Sequence, residues 1–334
     1  MKRFRKTAAL FLALLLPLLL LTGCQKEKGG LEKISVCEVT HSIFYAPQYV
    51  AEHLGFFEEE GLQAEFTNGQ GADAVMSAVL SGSADIGFAG PEASIYVYNE
   101  GKEDFTQVFA QMTQCDGSFL VAREPDPEFT WDKVRGKVIL PGRVGGVPYM
   151  TLEYVLRKNG IDPASDTTLD SSVQFSLMTS AFTSGTGDYV TIFEPTASQL
   201  EAEGRGYIVA SVGADSGKIP FTAYFAKKSF LEKKGDVVQR FTNAIQKGLD
   251  WVQTHSAEEI AQAVAPSFPD VSLELLTASV KSYQEIGAWK ETPVMKKEAF
   301  ALLQEVMTQA GELKKEAPFD SIVNNTFAEK ASQQ

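Results

Sequence analysis

The chain has 334 residues, 44% of them apolar, and a formal net charge of −13. That apolar fraction excludes a disordered chain, and beyond about 250–300 residues one hydrophobic core rarely suffices, so two lobes are expected. The acidic balance excludes nucleic acid as a partner, because phosphates need Lys and Arg to displace their counterions, and it excludes binding by charge to anionic lipid.

At the N-terminus Lys2, Arg3, Arg5 and Lys6 precede an apolar stretch from Ala8 to Leu21 that Pro17 interrupts. The stretch is short of the roughly 20 apolar residues that span a bilayer, and a charged start followed by a short apolar core reads as a secretory signal. It ends in Leu21-Thr22-Gly23-Cys24, which resembles the bacterial lipobox. The resemblance implies cleavage before Cys24 and a diacylglycerol on its sulfur; a plain signal peptide with an unrelated cysteine is the alternative. Residues 1–23 are therefore expected as a lipoprotein signal peptide. Residues 24–32 are expected as a tether, since Gln25-Lys26-Glu27-Lys28-Gly29-Gly30 is polar and ends in glycines.

The rest alternates strand and helix. Lys33–Val39 reads as a strand, and Val50, Leu54 and Phe57 recur at helical spacing in one helix that Gly61 ends. Leu62–Phe66 is a short strand, Gly69-Gln70-Gly71 a turn, and Ala72, Val75, Met76, Val79 and Leu80 form the stripe of a second helix. Gly82 stops it. Ala84–Phe88 is the next strand, leading through Gly90-Pro91 into a helix that runs to Tyr98, with strands at Thr106–Ala110 and Ser118–Ala122. A second run repeats this grammar: strand Lys137–Leu140, a glycine-rich turn Gly142–Pro148, and a helix with Leu152, Val155 and Leu156 on one face, closed by Gly160. Strand Asp188–Ile192 enters Phe193-Glu194-Pro195 and another helix, and Tyr207–Val212 and Phe221–Ala226 are the last strands. From Ser229 onward the chain is helical, with Phe241, Ile245, Leu249 and Val252 as its best stripe.

Such alternation predicts an α/β fold of mainly parallel sheets covered on both faces, with ligands at the carboxyl ends of strands. The break between the runs lies near Gly117–Trp131, and a second crossing near Lys218–Thr222 returns the chain before its helical tail. The expected division is lobe 1 over residues 33–117, lobe 2 over 118–220, and a return to lobe 1 with C-terminal helices over 221–334. Two crossings between lobes leave a cleft whose walls can close about a hinge.

Cys37 and Cys115 remain once Cys24 carries lipid. They can form a disulfide in an oxidising compartment, but nothing in their spacing predicts one, and Cys37 in a strand reads rather as a buried free thiol. There is no CxxC pair, HExxH, Walker A loop or GxSxG elbow, and the three histidines, His41, His53 and His255, make a histidine metal centre unexpected. No cofactor and no catalytic set is expected.

Three stretches carry a resemblance: His41-Ser42-Ile43-Phe44-Tyr45-Ala46-Pro47, then Gly55-Phe56-Phe57-Glu58-Glu59-Glu60-Gly61-Leu62, then Gly82-Ser83-Ala84-Asp85-Ile86-Gly87-Phe88-Ala89-Gly90-Pro91-Glu92. They resemble the type II periplasmic binding proteins that serve ABC importers for sulfonates, taurine, nitrate and thiamine-pyrimidine precursors. Gly145-Gly146-Val147-Pro148 and Phe193-Glu194-Pro195 fit that family's second lobe, and the likeness runs from about residue 33 to about 310. It implies a two-lobed fold with a ligand cleft, a monomer, a small-molecule ligand, and a membrane permease with its ATPase as partners. It implies a place outside the cytoplasm, anchored by lipid. Some relatives are enzymes with a cysteine-rich metal motif, and this sequence has no such cluster.

The candidate ligand residues follow the strands. Ser42, Phe44 and Tyr45 form the loop after the first strand, where the rings either wall a site or pack into the core. Gly71, Gly145 and Gly146 precede helices, where backbone N–H groups can approach an anion, although turn geometry alone would also place glycine there. Arg143 can hold an anion with its planar fork, and Glu194 can accept from an amino-substituted ring, or the two can pair with each other. Asp116 lies at the first crossing, and Pro91 and Glu92 open a helix in which Glu92 also serves as a first-turn charge.

Three carboxylates against one arginine disfavour a sulfonate, since a like charge about 4 Å away costs on the order of 4 kcal/mol at an effective dielectric near 20. A flat, neutral or amine-bearing heterocycle such as a thiamine-pyrimidine precursor suits the set better, with sulfonate, taurine or nitrate as the alternative. An exported enzyme or a ligand-sensing lipoprotein on the same fold is the competing class.

Overall fold

The structure is a computed structural model that describes residues 30–333. The signal segment, Cys24 and most of the expected tether lie outside the described residues. Ten strands follow one another among the described residues: β1 (Glu32–Glu38), β2 (Leu62–Asn68), β3 (Ile86–Ala89), β4 (Thr106–Thr113), β5 (Ser118–Ala122), β6 (Val138–Leu140), β7 (Thr168–Leu169), β8 (Tyr189–Phe193), β9 (Tyr207–Ser211) and β10 (Thr222–Lys227). They build two five-stranded sheets, ordered β2-β1-β3-β10-β4 and β7-β6-β8-β5-β9.

Both sheets are mixed rather than mainly parallel. β1 pairs parallel with β3, and β6 parallel with β7 and β8, as strands linked by helical crossovers do. β10 runs antiparallel to β3 and β4, and β5 antiparallel to β8 and β9. These two strands are the ones that enter a sheet straight from the other sheet. No local βαβ crossover dictates their direction, so each is free to slot in reversed beside its neighbours. The first crossing is short, from Gln114 to Gly117, and the second runs from the end of β9 through the helix Val212–Ser216 to β10.

The inner strands are buried on both faces because helices cover each side: all four residues of β3 and all five of β5 are buried. The edge strand β2 instead has Leu62 buried and Ala64 and Phe66 partly buried, with exposed residues between them. The expected helix through Val50, Leu54 and Phe57 is two helices, Ala46–His53 and Phe56–Glu59. Gly55 between them has φ of 77°, a left-handed conformation that ends the first helix and lets Phe57 turn inward.

The long helix Gly235–Thr254 buries Phe241, Ile245, Leu249 and Val252 against the first sheet's helices. It lies so close to the helix Ala46–His53 that a Cβ on Gly248 would stand 2.2 Å from the Pro47 carbonyl oxygen. A methyl group there forces the two helices apart, and overpacking of this kind costs about 1–3 kcal/mol. Gly248→Ala is therefore expected to lower the urea midpoint by that amount of stability; an unchanged midpoint would show that the helices separate freely.

Candidate functional site

A cavity of about 510 Å³ lies between the two sheets, lined by the loops at the carboxyl ends of their strands. From the first sheet come Val39, Thr40 and Tyr45 after β1, Gly69 to Ala74 after β2, Gly90 and Glu92 after β3, and Phe221 and Thr222 at the start of β10. From the second come Gly142, Arg143 and Gly146 to Pro148 after β6, Ser171 to Ser176 after β7, and Phe193 at the end of β8. This is the crevice in which α/β sheets place ligands, because loops and helix N-termini converge there. A second cavity of about 160 Å³ shares Thr40, Phe175, Ser176 and Phe193 with the first and continues it past His41, Ser42, Thr191 and Glu194.

Of the residues singled out from sequence, Tyr45, Gly71, Glu92, Arg143 and Gly146 line the larger cavity, and Ser42 and Glu194 the smaller. Phe44, Pro91, Asp116 and Gly145 line neither. Phe44 is fully buried between Tyr283, Phe193 and Phe221, with ring centroids 4.9, 5.7 and 5.8 Å away. It fills the junction between the sheets, while its neighbour Tyr45 packs edge-to-face with Phe88 and forms cavity wall. Gly145 stands behind the wall, where its carbonyl accepts a hydrogen bond of 2.9 Å from the Tyr96 hydroxyl across the cleft. Pro91 caps the helix Glu92–Asn99.

The charges are arranged unequally. Arg143, from the second sheet, pairs at 3.3 Å with Asp73 of the helix Ala72–Ser81, from the first, with side chains 42% and 75% exposed. Exposed pairs of this kind contribute at most about 1 kcal/mol, so the bridge can open for a ligand at little cost. Glu194 does not pair with Arg143. Its carboxylate accepts from the Ser198 backbone N–H at 2.9 Å and the Ser198 hydroxyl at 2.6 Å, capping the helix Thr196–Ala202. Its carbonyl accepts from the Ser42 hydroxyl at 2.6 Å, which ties the two sheets together. Asp116 is wholly buried at the first crossing. Its Oδ1 accepts from the Ser118 backbone and hydroxyl, Oδ2 has no partner among the described residues, and burial pushes its pKa up to about 7. Cys37 and Cys115 are buried and unbonded to each other.

Sequence reasoning missed the loop Ser171–Ser176, because the strand before it, β7, has only two residues and leaves no periodic signal. It also missed Phe193 and Phe221 as wall, and Tyr283, whose hydroxyl donates to the Gly117 carbonyl and accepts from the Glu194 N–H. Tyr283 comes from the C-terminal helix Leu273–Glu285, far along the chain from the loops it ties. Among the described residues no His, Cys, Asp and Glu group is arranged to hold a metal ion.

His41 borders the smaller cavity and has an acceptor on each ring nitrogen: Glu38 Oε1 lies 2.9 Å from Nδ1 and the Ser267 carbonyl 2.8 Å from Nε2. The Tyr49 hydroxyl also lies 3.0 Å from Nδ1, so a neutral ring can accept there, and only the imidazolium donates from both nitrogens to Glu38 and Ser267. The hydrogen bond to the Glu38 carboxylate raises the His41 pKa above its ordinary value, against the opposing effect of burial. A raised histidine pKa contributes stability that is fully present below about pH 6.5 and is lost as pH rises through the folded value. The melting temperature of the wild type should therefore fall more than that of His41→Gln as pH rises above about 6.5. Parallel pH profiles would show that folding does not raise the His41 pKa.

The NMT1/THI5-like family profile matches residues 43–259. A protein of Bacillus subtilis (strain 168) named "Putative binding protein YtlA" is 44% identical over 314 residues, spanning 94% of each chain. Among solved structures, the alkanesulfonate-binding protein SsuA from Xanthomonas axonopodis pv. citri, bound to MOPS, aligns with a TM-score of 0.71 at 14% identity, covering 88% of this chain and 98% of that one. The desulfurization enzyme DSZB aligns with a TM-score of 0.62 at 14% identity, covering 90% and 99%. The shared architecture is the periplasmic binding protein fold, and by profile and by identity this chain belongs to the NMT1/THI5-like family.

Proposed function

We propose that the chain is the extracytoplasmic solute-binding component of an ABC importer, anchored by lipid on Cys24, and that its solute is a flat nitrogen heterocycle like a thiamine-pyrimidine precursor. The observation that carries this reading is the cleft itself. A volume of about 510 Å³ suits one small molecule, and loops of both sheets contribute to its walls. A binder of this design hands its solute to a permease and its ATPase when the walls part. The family membership and the relative named as a binding protein support the same reading. The desulfurization enzyme on this fold is the counter-example, since a fold does not imply its function.

Two features favour a heterocycle. Tyr45, Phe175, Phe193 and Phe221 give the cavity flat apolar walls, against which a ring gains contact that a small anion does not. Asp73 and Glu92 outnumber Arg143 along the lining, and Arg143 is already paired. The alternative, a sulfonate or nitrate, is favoured by the turns at Gly71 and Gly146, which bring two helix N-termini to the same cavity.

Calorimetric titration of the soluble domain beginning after Cys24 separates these readings. One solute set is aminopyrimidines; the other is taurine, alkanesulfonates and nitrate. Micromolar or tighter binding of an aminopyrimidine, changed little by Arg143→Ala, is the expected result. Binding of the sulfonate set alone, lost in Arg143→Ala, would overturn the heterocycle while leaving a solute-binding protein. Turnover of any solute by the isolated domain would overturn the binding-protein assignment.

A further inference from the structure

We infer that Glu92 is the residue that selects the solute, and that it recognises a cyclic amidine of the aminopyrimidine type by sharing a single proton with a ring nitrogen. This rests on the solute-binding reading above and assigns the recognising group within it.

Glu92 opens the helix Glu92–Asn99 and lines the larger cavity, yet it is only 1% exposed. Its Oε2 has no hydrogen-bond partner among the described residues. Native structures rarely keep a buried polar atom unsatisfied, and a residue of the cavity lining that carries one is suited to receive a donor from a solute. The chain makes room for it: the carboxylate lies over Gly90, where a Cβ would stand 2.0 Å from Oε2. Any side chain at position 90 would collide with the carboxylate and force it to move.

The neighbouring charges leave this acceptor open. The Arg143 guanidinium is held by Asp73 and by the Val144 carbonyl, and makes no ion pair with Glu92. Glu194, the other buried carboxylate of the cleft, has both oxygens occupied by Ser198. The groups that face Glu92 are Arg143 from the second sheet and Tyr96 on its own helix, with Asp73 and Glu312 beyond them. Burial raises the Glu92 pKa to about 7, opposed by Arg143 and by the backbone N–H groups of Glu92, Val147 and Ala93. Both protonation states are thus accessible near neutrality.

An amidine ring nitrogen complements such a group in either state. A neutral Glu92 donates its O–H to the unprotonated ring nitrogen, and an ionised Glu92 accepts the N–H of the protonated ring. The two forms differ only in which atom carries the proton, and the pair is neutral overall in both. An alkylammonium would need several acceptors where one oxygen is free, and an anion could be met only by the neutral acid, whereas an amidine ring pairs with either form. The complex therefore holds one proton in total. Acid adds a second proton and alkali removes the first, and either breaks the bond.

The test is calorimetric titration of the domain with 4-aminopyrimidine from about pH 5 to about pH 9, for the wild type and Glu92→Gln. The wild type should bind best near neutrality and weaken toward both ends. Glu92→Gln, which has no proton to share, should bind about tenfold or more weaker, the size expected for loss of a charge-assisted hydrogen bond, and should lose the alkaline limb. Equal affinity and an identical pH profile in the variant would overturn the role of Glu92, as would a flat profile in the wild type, with solute binding intact in both cases. Failure of the wild type to bind 4-aminopyrimidine at any pH would overturn the heterocycle reading and this inference together. Folding is read separately from thermal melts without solute. A carboxyl pKa raised by burial means that the folded state loses stability as pH rises from the ordinary carboxylate range toward about 7. Asp116 and Glu194, whose pKa values burial also raises, contribute to the same fall, so Glu92→Gln should make it shallower, and an unchanged profile would show that Glu92 does not ionise across that range.

Discussion

Phe44 joins the two halves of the molecule. Its ring packs against Phe193 from the second sheet, Phe221 from the strand that returns to the first, and Tyr283 from the C-terminal helices. Its carbonyl accepts the Trp289 indole N–H at 2.8 Å. Truncating a buried phenylalanine typically costs about 3–5 kcal/mol, and here that packing sets the distance between the cleft walls. Tyr283 adds direction to it. One hydroxyl donates to the Gly117 carbonyl and accepts from the Glu194 N–H, so the first crossing and the end of β8 are fixed to one ring. The aromatic cluster occupies the floor of the cleft, so the polar loops above it are left to face a solute.

Those loops divide the labour by burial. Arg143 and Asp73 form an exposed charge pair between the two sheets, which costs little to form or to break. Glu92 sits deep, where the same kind of group is expensive to leave unpaired. The Tyr96 hydroxyl, on the same helix as Glu92, reaches the Gly145 carbonyl across the cleft, and the Ser42 hydroxyl reaches the Glu194 carbonyl lower down. These bonds span the sheets without consuming the Glu92 carboxylate. Closure of the walls and recognition of the solute thus use separate groups.

Most of the strand and helix order was legible because buried strands read as short apolar runs bounded by turn residues, as in Ser118–Ala122, and helices as stripes of period 3.6, as in Phe241 to Val252. Strand direction was not, since β5 and β10 enter their sheets by crossings that leave no local signature. Nor was the break at Gly55, because a helical stripe continues across it. At the site, position after a strand marked Tyr45, Gly71, Glu92, Arg143 and Gly146 as residues that meet in one cavity. It marked Phe44 and Glu194 equally, and only the fold distinguishes a ring that fills the junction, or a carboxylate that caps a helix, from one that faces a ligand. The loop Ser171–Ser176 carries no such mark.

The central claim is that one solute is held by loops of both sheets at once. Hydrogen–deuterium exchange with and without each solute of the pyrimidine and sulfonate sets tests it most directly. The account predicts that a solute which binds will protect residues 39–45 and 69–74 of the first sheet together with 142–148 and 171–176 of the second. Protection confined to the loops of one sheet, or located away from these four segments, would contradict it.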